Sequence, residues 1–316
     1  MTLSKALALA GAFLPLPAPA QPIVLDWPVD CELGTTCYIE DYVDTDPAHG
    51  RQSDYACGIK SRDGHKGTDI ALLSFETQTT VRAAADAVVL RVRDGMVDDP
   101  KMPNVTDDNA CGNAVFLDHG QGWRTLYCHL KQGSLSVAPG DTVTAGDPLG
   151  QIGLSGKTTH PHLHLSVYHN GALVDPFRPN ATASCGEEQE MLWAEPPAYD
   201  RASLITAGFT DAIPSLPQVT TGKARRHTLR PDQPIVLYGH AGHAEHGDVL
   251  TLSATGPDGE VFQRKILLKH PQVSQMQAFG RKAPAEGWEP GEYLGRAQLT
   301  RDGRVIAHRF AHVMIE

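Results

Sequence analysis

The chain has 316 residues, with 27 basic and 37 acidic side chains and a formal net charge of −10. At roughly 100 to 200 residues per domain, that length predicts two domains, each able to bury a core. An acidic chain is a poor match to the phosphate backbone of nucleic acid, and after the N-terminal segment no apolar stretch reaches the ~20 residues of a membrane span.

The opening "MTLSKALALAGAFLPLPAPAQ" has one cation, Lys5, then a short apolar run, then Ala18, Pro19 and Ala20 ahead of Gln21. This is the pattern of a cleavable secretory signal over residues 1–20, and it predicts a periplasmic or secreted protein after cleavage near Ala20. Residues 21–63 contain Cys31, Cys37 and Cys57 amid Pro, Asp and Gly punctuation, and read as a loop-rich extension held by disulfides. With Cys111, Cys128 and Cys185 the cysteines number six, an even count that suits disulfides in an exported chain. In residues 64–180 short β-type runs alternate with Gly-containing turns, which predicts an antiparallel sheet. There "CGNAVFLDHGQGWRTLYC" reads as two strands about a "DHGQG" turn, a hairpin that sets Cys111 opposite Cys128. The aspartate-rich "DGMVDDPKMPNVTDDNA" interrupts the pattern as a solvated rim loop. Residues 181–226 change character and read as a linker with short helical elements. From 227 to 316 a second series of strands, with "PDG" and "RDG" hairpin turns, predicts a small β-sandwich. The expected fold class is mostly β.

Residues 159–164, "THPHLH", place His160, His162 and His164 at alternate positions. On a strand, His162 and His164 share a face about 6 to 7 Å apart. The segment "DGHKGTDIAL" adds His65 and Asp69, four apart, and Gly67 between them argues against a helix. Two histidines and a carboxylate meet the ligand count of a hydrolytic Zn2+ site with one position left for water. Neither motif is specific alone in a chain with 15 histidines.

Taken in order, "GHKGTDIAL", "GNAVFLDHGQGWRTLYCHL", "PGDTVTAGDPLGQIGLSGKTTHPHLHLSV" and "GALVDPF" resemble the M23 family of zinc metallopeptidases, the lysostaphin-like peptidoglycan endopeptidases. The resemblance runs from about residue 58 to 179. It implies an antiparallel catalytic sheet of the lysostaphin-like type, one Zn2+ held by His65, Asp69 and His164, and catalytic groups at His129 and His162. It also implies peptidoglycan peptide stems as the bacterial substrate. In that scheme metal-activated water attacks a peptide carbonyl, His162 moves its proton to the leaving amine, and His129 donates a hydrogen bond to the oxyanion, the two roles being exchangeable. The chain departs from the family pattern at His160, at "LHLS" in place of "LHFE", and at "AADAVV", which lacks a glycine after Asp86. Two other readings stay open: a protein that keeps the fold to bind peptidoglycan or activate another hydrolase, and a secreted protease of Gly-rich proteins.

The remaining histidines are expected to be structural. His160 lies beyond Pro161 and suits a rim or packing role, and His119 sits in the "DHGQG" turn. His240, His243 and His246 fall in a Gly-rich stretch that reads as a loop with no common face. Trp123 and Tyr127 are expected to pack in the sheet.

Overall fold

A computed structural model describes residues 22–180, 182 and 189–316, so the expected signal segment and Cys185 lie outside the described residues. In chain order the first unit contains β1 (Cys37–Asp41), β2 (Thr68–Leu72), β3 (Thr80–Arg82), β4 (Ala87–Arg93), β5 (Asn113–Gly120), β6 (Trp123–Leu130), β7 (Thr142–Val143), β8 (Pro148–Gln151), β9 (His162–His169) and β10 (Ala172–Val174). Eight of these form one sheet in the order β1-β2-β9-β6-β5-β4-β7, with β10 branching from β9, and β3 pairs with β8 apart from it. All pairings in the large sheet are antiparallel.

Strand alternation divides β9 between two environments. Leu163, Leu165 and Val167 point into a core with Tyr127, Ile70 and Leu117, while His162, His164 and Ser166 point to the opposite face. Burying the aliphatic row stabilises the sheet by roughly 1.5 to 3 kcal/mol per side chain and fixes the register, since a one-residue slip would drive His162 and His164 into that core.

The residues read as a loop-rich extension are part of this unit. Leu25, Val29, Ile39, Tyr42 and Tyr55 are buried in the same core, β1 forms the sheet's edge, and the Leu25 amide donates to the Leu192 carbonyl at 2.7 Å. Apolar side chains spaced too irregularly to read as strands supply this packing. Disulfides join Cys31 to Cys37 and Cys111 to Cys128, and Cys57 is also disulfide-bonded.

The second unit comprises β11 (Ser203–Thr210), α1 (Leu216–Thr220), β12 (Thr228–Leu229), β13 (Ile235–Ala244), β14 (Val249–Gly256), β15 (Gly259–Leu267), β16 (Gln272–Arg281), β17 (Gly291–Arg301) and β18 (Arg304–Ile315). A three-stranded sheet, β11-β13-β16, and a five-stranded sheet, β12-β18-β17-β14-β15, enclose a shared core of Phe209, Leu237, Leu252 and Leu299. The linker expected over residues 181–226 is thereby corrected, because "SLITAGFT" pairs along β13 and buries Leu204, Ala207 and Phe209. Its apolar side chains complete a sandwich layer that β13 and β16 alone would leave open.

The two units meet along β1 and β18. The Tyr38 hydroxyl donates to the His308 carbonyl at 2.7 Å, Arg304 donates to Leu33 O at 2.6 Å, and the Lys60 ammonium donates to Ile306 O at 3.1 Å.

Candidate metal centre

Asp69 on β2 lies opposite His164 on β9, and Cys128 on β6 lies opposite the same His164 on its other side. His65 reaches the row from the turn just before β2. Gly67 makes that approach possible: a Cβ there would lie 2.6 Å from His164 Nε2 and 2.7 Å from the Leu165 carbonyl oxygen. The glycine of the H-x-G-x-D pattern is thus required by space rather than by an unusual backbone angle.

The hydrogen bonds around each ring determine which nitrogen faces inward. His65 Nδ1 lies 2.7 Å from the Tyr42 carbonyl oxygen and must donate to it, which leaves Nε2 as the inward lone pair. Ser166 gives its hydroxyl proton to the Lys66 carbonyl at 2.6 Å, so it accepts from His164 Nε2 at 3.0 Å and leaves His164 Nδ1 unprotonated. His65 Nε2 and His164 Nδ1 are 3.2 Å apart, with Asp69 Oδ2 3.1 Å from the first and Oδ1 2.7 Å from the second. Three acceptors therefore converge within 4.8 Å of one another, and only a cation, proton or metal, can bridge them. Burial opposes the charge on Asp69, but His65, His162 and His164 together hold its carboxyl well below the usual range. At His65 the balance is similar: burial disfavours the proton, and Asp69 outweighs it and raises the pKa. Metal binding here competes with protonation.

His162 and His129 stand beside this set. His162 Nδ1 donates to the His160 carbonyl at 3.1 Å and to Thr158 Oγ1 at 3.1 Å, and its Nε2 lies 3.8 Å from Asp69 Oδ2. His129 Nδ1 donates to the Ser155 carbonyl at 2.8 Å, and its ring centroid is 4.6 Å from that of His162. Both present an Nε2 lone pair. Burial pushes His162 down to about 3; burial, helped by the imidazoles of His162 and His164 crowding any added charge, holds His129 well below the ordinary imidazole range. His129 has φ +63°, a conformation costly for a non-glycine residue. Its amide donates to Cys111 O at 2.8 Å, and the Cys111–Cys128 bond, which the hairpin reading anticipated, anchors the residue before it.

The sequence reading missed the ionic groups behind the centre. Arg62 bonds to Asp69 Oδ2 and, at 2.8 Å, to Asp41 Oδ2. Arg309 of the second unit contacts Glu40 and, at 3.3 Å, Asp41. Of the rim and packing roles expected for His160, the structure shows packing: its Nε2 is 2.5 Å from Glu40 Oε2, and its ring stacks on His162 at a centroid distance of 5.0 Å. Glu40, Asp41 and Asp69 also fall within 4.8 Å of one another, but these guanidinium groups pair with them. The partners come from β1, from the segments just before β2 and β9, and from β18, so no spacing in the sequence signals them.

The other residues singled out lie elsewhere. His119 bridges Asp86 O and Thr125 Oγ1, each at 2.8 Å, and braces the turn that lacks its glycine. Tyr127 is buried and accepts the Ala84 amide at 2.9 Å. His240 and His243 stand on β13 rather than in a loop. Past Ser166 on the histidine face, a depression of about 580 Å3 is lined by Leu126, Tyr168, Phe116, Arg91, Arg93 and Arg124.

Residues 63–176 match the model of peptidase family M23. The DD-carboxypeptidase/endopeptidase Mpg of Neisseria meningitidis is 36% identical over 113 residues, 35% of this chain and 22% of that protein. Peptidoglycan DD-endopeptidase ShyA of Vibrio cholerae is 30% identical over 128 residues, 40% of this chain and 26% of that protein. The catalytic domain of lysostaphin from Staphylococcus simulans is 25% identical, over 38% of this chain and 81% of that one, with a TM-score of 0.28. The chain thus spans about a quarter of the length of the curated relatives it matches.

Proposed function

Since residues 63–176 are a domain of peptidase family M23, we propose that the chain is an exported zinc endopeptidase that cuts peptide cross-links of cell-wall peptidoglycan. The observation that carries the proposal is the convergence of His65 Nε2, Asp69 and His164 Nδ1 with both outward ring nitrogens already committed to protein acceptors. That donor set suits Zn2+, with His65, Asp69 and His164 as its ligands. Relatives named as peptidoglycan DD-endopeptidases support the substrate class. Bound zinc lowers the pKa of a coordinated water toward ~7 and polarises the scissile carbonyl.

The chain's own residues carry the protons. His162, with its Nε2 lone pair and Asp69 Oδ2 3.8 Å away to balance an imidazolium, accepts the proton of the attacking water and returns it to the leaving amine. His129, its Nδ1–H fixed on Ser155 O and its ring centroid 4.6 Å from that of His162, holds Nε2 toward the site; bearing a proton of its own there, it donates a hydrogen bond to the developing oxyanion, while the water's proton stays with His162 until it passes to the amine. The depression beyond Ser166 holds the stem peptide, where Arg91, Arg93 and Arg124 face substrate carboxylates.

Incubating the purified protein with isolated sacculi, with and without a chelator, and identifying the released ends tests the proposal. New amino and carboxyl termini within the cross-links, suppressed by chelation and restored by Zn2+, are expected. Binding to sacculi with no released ends would instead identify a non-catalytic binder, and cleavage of Gly-rich proteins alone would reassign the substrate.

A further inference from the structure

We infer that Arg309 of the C-terminal sandwich is a positioning residue of the metal centre, so that the second unit is a working part of the active site rather than an appended module. The inference rests on the proposed zinc site and concerns what holds its ligands in place.

The geometry is a chain of hydrogen-bonded side chains in which carboxylates alternate with guanidinium groups and an imidazole ends one branch. His160 meets Glu40, Glu40 meets Arg309, Arg309 meets Asp41, Asp41 meets Arg62, and Arg62 meets Asp69. One guanidinium from β18 therefore touches both branches behind the site. Through Asp41 and Arg62 it reaches the proposed carboxylate ligand, and through Glu40 and His160 it reaches the ring stacked on His162. The third arm of Arg309 is fixed to its own unit, with Nε donating to Leu204 O at 2.8 Å. Both Glu40 and Asp41 are almost fully buried, at 4% and 1% exposure, so neither carboxylate can replace a lost partner with bulk water.

Ion pairs rather than close packing hold these side chains. A cavity of about 350 Å3 lies between the units against Glu40, Arg62, His160, Arg309 and Phe310. Without the forked guanidinium, Glu40 and Asp41 would compete for Arg62, and Arg62 would be drawn off Asp69. A lysine keeps the charge but cannot span two carboxylates and a carbonyl at once. Other bonds between the units, from Tyr38, Arg304 and Lys60, do not involve Arg309 and keep them docked in the variant.

The test is zinc affinity, measured by competition with a chromophoric chelator on full-length wild-type, Arg309→Lys and Arg309→Met proteins. The visible spectrum of the Co2+-loaded forms provides a second readout. If Arg309 positions the ligands, both variants bind zinc about 10-fold or more weakly, as loss of an outer-shell partner does elsewhere, and their cobalt bands shift. The sign discriminates among alternatives. If Arg309 acted only through its charge, Arg309→Met would tighten cation binding and Arg309→Lys would leave it unchanged. If it only docked the units, neither zinc affinity nor the cobalt spectrum would move. Either result overturns the inference. Should Arg309→Met fail to fold, Arg309→Lys alone decides. A wild-type protein that binds no stoichiometric zinc would instead refute the proposed function.

Discussion

Two stretches of this chain carry three histidines each, and the structure treats them differently. On β9, His162 and His164 share a face, each outward ring nitrogen is fixed by an acceptor, and a second strand brings Asp69 opposite. On β13, His240 is buried with Nε2 on Ser274 Oγ at 2.7 Å and Nδ1 unpartnered, His243 adopts φ +52°, and His246 lies exposed beyond the strand. No carboxylate completes a cluster there among the described residues. Histidine spacing alone therefore does not make a metal site. The difference comes from a neighbouring strand in register and from acceptors that turn lone pairs inward.

Removing a proposed ligand on β9 should have the largest effect. His164→Ala leaves two of three proposed ligands, and both stoichiometric zinc, measured by elemental analysis, and release of peptide ends from sacculi are expected to fall to background. A His164→Ala protein that kept full activity would dissolve the contrast with β13. His162→Ala, two residues away, should separate binding from chemistry. Zinc content stays stoichiometric while kcat falls by about 10² to 10⁴-fold, the range for loss of an acid–base group.

Both substitutions fall on residues that the sequence could indicate, because alternation on a strand and the order of the motifs are local signals. The aliphatic row of β9 also made the sheet legible. What stayed hidden was non-local. Arg309 lies 268 residues from Asp41, and no periodicity links them. The glycines around His240 read as a loop, yet a Cβ on Gly239 would lie 3.3 Å from Ala297 Cβ and Leu252 Cδ2. That glycine allows the two layers of the sandwich to approach, and its neighbours are strand residues. β11 follows a stretch of helix-favouring composition, "EMLWAE", that conceals the strand pattern within residues 181–226.

The hairpin disulfide lies between the two extremes. Cys111 and Cys128 close a loop with a sequence separation of 17, so replacing both with Ser should lower stability by roughly 3 kcal/mol in chemical denaturation. It should also release the strained backbone of His129 and reduce kcat by up to about 10²-fold, with zinc content unchanged. Equal kcat in the disulfide-free protein would show that Ser155 and the sheet hold His129 unaided.

The smallest effect is expected on β13, where it should run opposite to that of a ligand. Replacing His240, His243 and His246 together should leave zinc stoichiometry and turnover unchanged, and a fall in bound zinc would reveal a second site. His240→Leu sharpens the point through pH. Burial lowers the His240 pKa in the folded protein, whereas in the unfolded chain it titrates near the ordinary value of about 6.5. Below that value the unfolded state binds the proton and the folded state resists it, so the wild type loses stability as pH falls. Leucine has no such proton, and Ser274 is exposed enough to bond to water instead. The variant should therefore match the wild type in urea at pH 8 and exceed it at pH 5. A proposed ligand such as His65, whose pKa Asp69 raises, behaves in the reverse sense: in zinc-loaded protein its removal costs the binding energy of the metal at pH 8, where zinc is held, and costs less at pH 5, where a proton competes for the same lone pair.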